Sequence, residues 1–475
     1  MIVWLLLLSP LVAGLVSWAT PVRRVTVLLA ALSPLLILIV GVDLALRTHS
    51  SVVRAPGLVR VDALGALMVV LIGTVGLIAG LRCADVLDRS TERNGRVYAG
   101  LVQIFLAAML GAVTTANLGV VWLMIEMTTI ATSFLVAHQR NARALEASWK
   151  YVVLCSLGIA VALLGLVVIY FASAHAVPGA APTLDVEKLI LLGHHLNAPV
   201  LRVGVALALA GFATKVGLAP FHSWLPDAHS QAPAPVSGLM SGVLLSVALY
   251  ALVRVKSVAD AALGPLFARD LLVTLALGSL LVAAVMILAT RDLKRLLAYS
   301  SIEHLGLATL ALAAGSTLAL AAAFFHILGH GLVKSSVFLS AGEVSDAEGT
   351  TRLENITGLL QRQPALGLRL GVGLLALVGL PPFSLFLSEV LMTRAEFAAG
   401  LVVPAVLQVL LVVGIGVATL SAVWPMFFGE GERISSSATR HIGVPGSALV
   451  VSVLLGVVGS PVGSFVEHAA RAVGR

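Results

Sequence analysis

Apolar runs separated by charged, Gly or Pro residues recur along the whole chain, and each is about as long as the roughly 20 residues a membrane helix needs. They predict fourteen helices, over about 2–20, 25–46, 62–81, 97–115, 118–137, 150–172, 200–219, 236–255, 271–290, 296–314, 317–341, 366–392, 401–428 and 446–465. The stretch 220–235 holds four prolines and cannot be one helix, so it is expected as the unwound or re-entrant part of the seventh span. Met1 to Thr20 has no positive leading segment, and Arg23 and Arg24 follow the apolar run. It reads as a first, uncleaved span.

Composition agrees with this pattern. The 475 residues are 59% hydrophobic and 11% charged, with mean hydropathy +1.04. A soluble protein of this make-up would expose apolar surface everywhere. The fold class is therefore all-α, a polytopic membrane protein.

Two breaks in the pattern carry the functional argument. Lys215 lies in an apolar helix and is followed at once by Val216-Gly217-Leu218-Ala219-Pro220-Phe221. Further along, Val378-Gly379-Leu380-Pro381-Pro382-Phe383 repeats those words, with Glu389 just beyond. A buried charge and a broken helix are each costly in a membrane, because freed backbone groups find no water there. Meeting both costs at matching places is the mark of a transporter built from repeats, with its ion site at the breaks. The predicted organisation is a three-helix segment over 1–96, a first five-helix repeat over 97–256 and a second over 270–428. A loop and last helix over 429–475 complete it. Five is odd, so the second repeat enters from the opposite side and is inverted.

Net charge is +7, small for this length, and no basic cluster is interleaved with aromatics, so nucleic acid is not an expected partner. With fourteen spans, the odd-numbered loops hold 17 of the 30 Lys and Arg, Arg433 and Arg440 among them, against 11 on the other side. That bias puts the odd loops in the cytoplasm and both termini outside. The two cysteines, Cys83 and Cys155, form no CxxC motif, which excludes a cysteine-ligated iron–sulfur or zinc site in this chain. No phosphate-cradling loop is present, so ATP does not drive the protein directly. Arg outnumbers Lys 24 to 6, a composition that suggests a GC-rich bacterial genome.

Several ionisable residues fall inside spans: Glu126, Lys215, Glu303, His304 and Glu389, with His326, His330 and Lys334 on one face of the eleventh. A single buried His or Glu is readily a packing feature. The set is not, since each charged type costs about 2.5–3.5 kcal/mol to insert. Carboxylate, imidazole and amine can each hold or release a proton, so the set suits a relay and offers no oxygen cage for a large cation. His326 and His330 have the i, i+4 spacing of metal ligands, but no acidic residue adjoins them on that face and Lys334 would repel a cation. No metal is assigned. Gly329 and Gly331 read as close-packing positions. Tyr299, Ser300, Ser301, Thr128 and Thr129 read as helix–helix hydrogen bonders rather than nucleophiles.

The stretches Trp122–Thr129, Glu146–Tyr151, Lys215–Pro235, Asp292–Leu305 and His326–Gly342 resemble the antiporter-like subunits of respiratory complex I and of Mrp antiporters, over about residues 60–430. Within that superfamily Glu126–Thr132, Trp149-Lys150-Tyr151 and Ser300–Gly306 look most like the hydrogenase-4 component F type of group 4 NiFe-hydrogenase and formate hydrogenlyase-like complexes. The resemblance implies that Glu126 and Lys215 form the glutamate–lysine pair of a first half-channel. It implies a central path through His304, His326, His330 and Lys334, with Glu389 at the end of the second half and Lys150 in the proton-translocating set. Many complex I relatives carry a further lysine in the eighth span, where this chain has Ser246, so the link between halves needs water or a different residue here.

The expectation is a proton-translocating membrane subunit without a redox, catalytic or cofactor site of its own, in a bacterial plasma membrane. The resemblance implies as partners other membrane subunits and a peripheral redox arm holding iron–sulfur clusters and a NiFe centre. The alternatives are a stand-alone or Mrp-like cation/proton antiporter, with Na⁺ in place of or beside H⁺, and a non-conducting membrane scaffold.

Overall fold

The computed structural model describes residues 2–177, 181–429 and 443–473. Arg433 and Arg440, which entered the charge count, lie outside the described residues. The chain opens with α1 (Ile2–Ala19), α2 (Arg23–Thr48), a two-residue hairpin pairing Val53–Arg54 with Arg60–Val61, α3 (Ala63–Gly80) and the short α4 (Cys83–Asp88). Then come α5 (Glu92–Val113), α6 (Leu118–Val136), α7 (Ala142–Ala174), the short α8 (Val186–Leu192) and α9 (Ala198–Val216). Beyond the first break are α10 (Trp224–Gln231), α11 (Ala234–Leu239), α12 (Leu245–Leu263), α13 (Pro265–Ala289), α14 (Leu293–Ala314) and α15 (Thr317–Glu348). The last part holds α16 (Leu359–Arg362), α17 (Pro364–Leu377), α18 (Ser384–Ala398), α19 (Val402–Phe427), α20 (Gly443–Val458) and α21 (Ser460–Val473).

Among the described residues, twelve helices are long and apolar enough to cross a membrane. The remaining two expected spans are the pair α17–α18, interrupted at its middle, and α20, which turns through 80° into α21 instead of running on to residue 465. The chain is a multi-pass membrane protein.

Helix starts follow local chemistry. Asp62, Asn117, Asn141, Asp292 and Ser316 each accept a backbone N–H of the first turn that would otherwise have no partner in lipid. The span 234–263 is continuous despite the prolines before it, because Pro235 occupies its first turn, where no N–H is needed. Residues 240–244 within it form a π-helical turn. Of the four-proline stretch 220–235, most is therefore ordered helix: α10 covers 224–231, and the unwound part is 217–223.

Burial sorts the helices into a centre and a rim. The 234–263 and 293–314 spans are fully enclosed and the 317–348 span nearly so, whereas α1, α7, α13 and α19 present most of their surface to lipid. The central helix α15 packs on α11, α14, α17, α18, α20 and α21. Small residues let it do so. A Cβ on Gly331 would sit 2.9 Å from the Gly242 carbonyl oxygen, and one on Gly329 would sit 2.4 Å from Ser384 Oγ.

The two breaks are built alike. Gly217 (φ +83°) ends α9 and Gly379 (φ +67°) follows α17, both in the left-handed region that favours glycine. At the first, Ala219 N–H donates to Ser279 Oγ (2.9 Å) and Trp224 Nε1 donates to the Thr214 carbonyl (2.9 Å). Side chains thus replace helix partners that the break removed. At the second, Pro381 has no N–H to offer the Leu377 carbonyl four residues back, and that oxygen is left for another donor.

Candidate functional site

The first half of the site lies between α6, α7 and α9. Lys215 is fully buried, and its Nζ donates to Tyr151 OH (2.6 Å) and Thr129 Oγ1 (2.9 Å) and lies 4.7 Å from the Tyr151 ring centre. Tyr151 OH is also 2.6 Å from Thr132 Oγ1. Glu126 stands on the same helix as the two threonines, but it does not pair with Lys215 within 4.0 Å. Instead its Oε1 accepts from Ser156 Oγ (2.6 Å), while its Oε2 is buried with no hydrogen-bond partner. A hydroxyl ladder of Thr129, Tyr151 and Thr132 holds the amine, and Glu126 lies within electrostatic reach of it rather than in contact. The threonines and tyrosine that sequence treated as packing groups hold the lysine.

Lys150 sits elsewhere. It pairs with Glu146 (2.6 Å) and with Asp227 (3.4 Å), which also pairs with Arg295, at the half-exposed end of α7. It belongs to a charged rim joining α7, α10 and α14, not to the buried path.

The second half lies between α14, α15 and α18. Lys334 is fully buried and donates to the Leu297 carbonyl (2.7 Å) and Ser300 Oγ (2.5 Å). Glu303 is buried one turn beyond Ser300, within electrostatic reach of Lys334. His304 Nδ1 lies 3.2 Å from His326 Nε2 and 3.9 Å from Glu389 Oε1. His304 Nε2 faces the Leu377 carbonyl (3.1 Å), the oxygen that Pro381 leaves free, and His326 Nδ1 faces Ser388 Oγ (2.8 Å). The ring of His330 is 5.2 Å from that of His304, and both of its nitrogens lack a hydrogen-bond partner. The second break thus does for the histidines what hydroxyls do for Lys215. Glu389 adjoins His304 and His326 from α18, so an acidic neighbour absent from that face of α15 arrives from 63 residues beyond His326.

Three residues were not singled out from sequence. His229, in α10, is fully buried against the ring of Phe338 (5.3 Å), with neither nitrogen hydrogen-bonded. It lies within electrostatic reach of Lys334 and His330, on the side toward the first half. Its place in the polar stretch 220–235 was the available signal. Glu396 is two turns beyond Glu389 on α18 and is buried with both oxygens unpartnered. Glu343, at the end of α15, bridges Arg82 (2.8 Å) and Arg369 and so is committed within the chain.

Ser246 is fully buried in α12 and its Oγ has no partner. Nearby, Ser241 and Ser301 bond across α14 (2.7 Å). Two cavities lie beside these elements, and the second reaches Glu389. One of about 380 Å³, beside Arg82, His138, Lys294 and Glu343, opens among the odd-numbered loops. Another of about 730 Å³ lies between α18 and α19 and is lined by Glu389, Thr393, Arg394 and Gln408.

The chain and its fold are similar to known membrane proteins. The chain is 39% identical over 350 residues to a hydrogenase-4 component F homolog of Methylacidiphilum infernorum, covering 74% of this chain and 73% of that one. Its fold superposes on a chain of the archaeal membrane-bound sulfane sulfur reductase complex with a TM-score of 0.90 at 26% identity, covering 100% and 98% of the two chains. It superposes on a chain of respiratory complex I from Thermus thermophilus with a TM-score of 0.83 at 26% identity, covering 100% and 99%. Residues 115–415, from the first half of the site through Glu389, match the family described as NADH:quinone oxidoreductase/Mrp antiporter, transmembrane, and the chain belongs to that family.

Proposed function

We propose that the chain relays protons as a membrane subunit of a hydrogenase-type respiratory complex, taking its energy from redox chemistry in partner subunits. The observation that carries this reading is the buried series itself. Lys215 and Lys334 are each held by neutral oxygens and, among the described residues, neither has a carboxylate within 4.0 Å. Burying an amine without an ion partner is costly and gives no packing advantage over a leucine. His229 and His330, with unpartnered nitrogens, lie within electrostatic reach of Lys334, and His330 adjoins the His304–His326 pair that leads to Glu389. Hydroxyl, imidazole and amine both accept and donate hydrogen bonds, as a relay requires.

On this reading Glu126, Lys215, His229, Ser246, His330, Lys334, His304, His326 and Glu389 carry or bridge protons, and Lys150 belongs to the supporting rim. The two repeats are read as inverted, the odd loops as cytoplasmic and the termini as extracytoplasmic. The cavity beside Arg82 and Glu343 then admits water from the cytoplasm. Likeness to the component F homolog supports docking onto other membrane subunits and a peripheral arm that holds the iron–sulfur and NiFe centres.

The test is proton flux in proteoliposomes for Glu126→Gln and Lys215→Ala, measured beside the yield of assembled complex. Loss of flux with normal yield is expected. Normal flux in both variants refutes the relay, and loss of assembly without loss of flux supports a scaffold. Recovery of the chain alone, exchanging Na⁺ for H⁺, supports an antiporter.

A further inference from the structure

We infer that His304, His326 and Glu389 form a binding site for a transition-metal dication of the zinc class. The Leu377 carbonyl fixes the tautomer of His304, and the Ser388–Leu385 hydrogen bond favours the matching one for His326. The Leu377 carbonyl can only accept, so His304 Nε2 carries the hydrogen and Nδ1 keeps its lone pair. Ser388 donates its single hydroxyl hydrogen to the Leu385 carbonyl (2.7 Å), so its oxygen accepts from His326 Nδ1–H, and His326 Nε2 keeps its lone pair. Two lone pairs therefore face each other across 3.2 Å. That contact is repulsive unless a proton or a metal ion lies between them.

The geometry suits a metal. Two nitrogens each about 2.0–2.1 Å from a tetrahedral zinc ion are roughly 3.3–3.4 Å apart. The carboxylate supplies the third donor, and all three ligand atoms lie within 4.8 Å of one another. Two His and one Glu with a fourth position for water is a recurrent zinc set. The outer shell is already in place, since each ligating imidazole donates its other N–H to a backbone carbonyl or a hydroxyl held by one. Lys334 Nζ is drawn toward Leu297 and Ser300, and the cavity of about 730 Å³ that Glu389 lines provides an approach. A bound ion takes the lone pairs that would receive a proton. Zinc is therefore expected to block the relay, a consequence that rests on the proposed function, whereas binding itself does not.

The test uses the purified full chain in detergent, with cobalt(II) as the spectroscopic probe. One equivalent is expected to give the visible absorption of a four-coordinate ion and to be displaced by zinc. The band should vanish in His304→Gln and His326→Gln. Ser388→Ala, which retains all three ligands, should weaken zinc binding by about 10–100-fold. Thermal unfolding in the absence of metal shows whether each variant is folded. No band in the unmodified chain overturns the proposal. So does an unchanged band in both histidine variants, which assigns the metal to surface histidines such as His194 and His195. A band lost in the variants, with proton flux insensitive to zinc, supports the metal site and counts against this pair as a relay step.

Discussion

Gly379 joins backbone conformation to the chemistry of Glu389, and replacing it by alanine separates the two effects. The residue has φ +67°, where a side chain costs about 1–2 kcal/mol. The added Cβ would also lie 2.3 Å from Glu389 Oε2 and 3.0 Å from Oε1. To restore an ordinary contact of 3.4 Å, the carboxylate must withdraw by about 1 Å. Its Oε1 already stands 3.9 Å from His304 Nδ1, so it has little reach to spare. Gly217→Ala is the internal control. It carries the same backbone strain, at φ +83°, but its Cβ meets Leu225 Cδ1 at 2.4 Å, the movable end of an apolar side chain. Both variants should lose similar stability. Only Gly379→Ala should lose flux as well, by tenfold or more, since an ångström of misplacement at a reacting group can cost about a hundredfold. Thermal unfolding in detergent and acid-pulse flux in proteoliposomes measure the two quantities. Equal flux in the two variants, with Gly379→Ala folded, would refute the role given to Glu389.

Other consequences are equally direct. Ser246→Leu is expected to block transfer between the halves and Ser246→Lys to be tolerated; full flux in the leucine variant, with no thiol labelling of Ser246→Cys, would take the path away from this residue. Tyr151→Phe should weaken flux while leaving fold and assembly intact, because it removes one of two oxygens holding Lys215; flux is read beside complex yield. Burial works against the Asp62 carboxylate, but Arg254 and the Gly65 N–H outweigh it and hold its pKa below the ordinary 3.8. Its contribution to stability is complete above pH 3.8 and is lost as pH falls through the lower folded value. Asp62→Ala should cost about 3–5 kcal/mol at neutral pH by leaving Arg254 buried and unpaired, and unfolding of the variant should depend less on pH in the acid range. Glu343→Gln should destabilise the chain by a similar amount, through Arg369 and Arg82, as followed by thermal unfolding.

The spans, the two breaks and most of the buried ionisable groups were legible in the sequence, His229, Glu343 and Glu396 excepted. Lipid is the reason: a bilayer forces every backbone group to be satisfied within a helix, so hydropathy, proline and glycine report directly on local structure. The same logic placed Gly217 and Gly379 at breaks, and Pro381 is the visible reason that the Leu377 carbonyl has no helix partner. Which groups meet across helices was not written locally. Glu126 and Lys215 are 89 residues apart, and the rotation of α6 about its axis, set by packing, gives the amine Thr129 and Tyr151 instead. No periodicity within α15 could show that Glu389 would reach its histidines from α18, nor that Leu377, from a broken helix, would set the tautomer of His304. Sequence determined which chemistry lies in the membrane, because burying it carries a local cost. Only the tertiary structure decided the pairings, because they depend on angles and rotations between helices that no single segment contains.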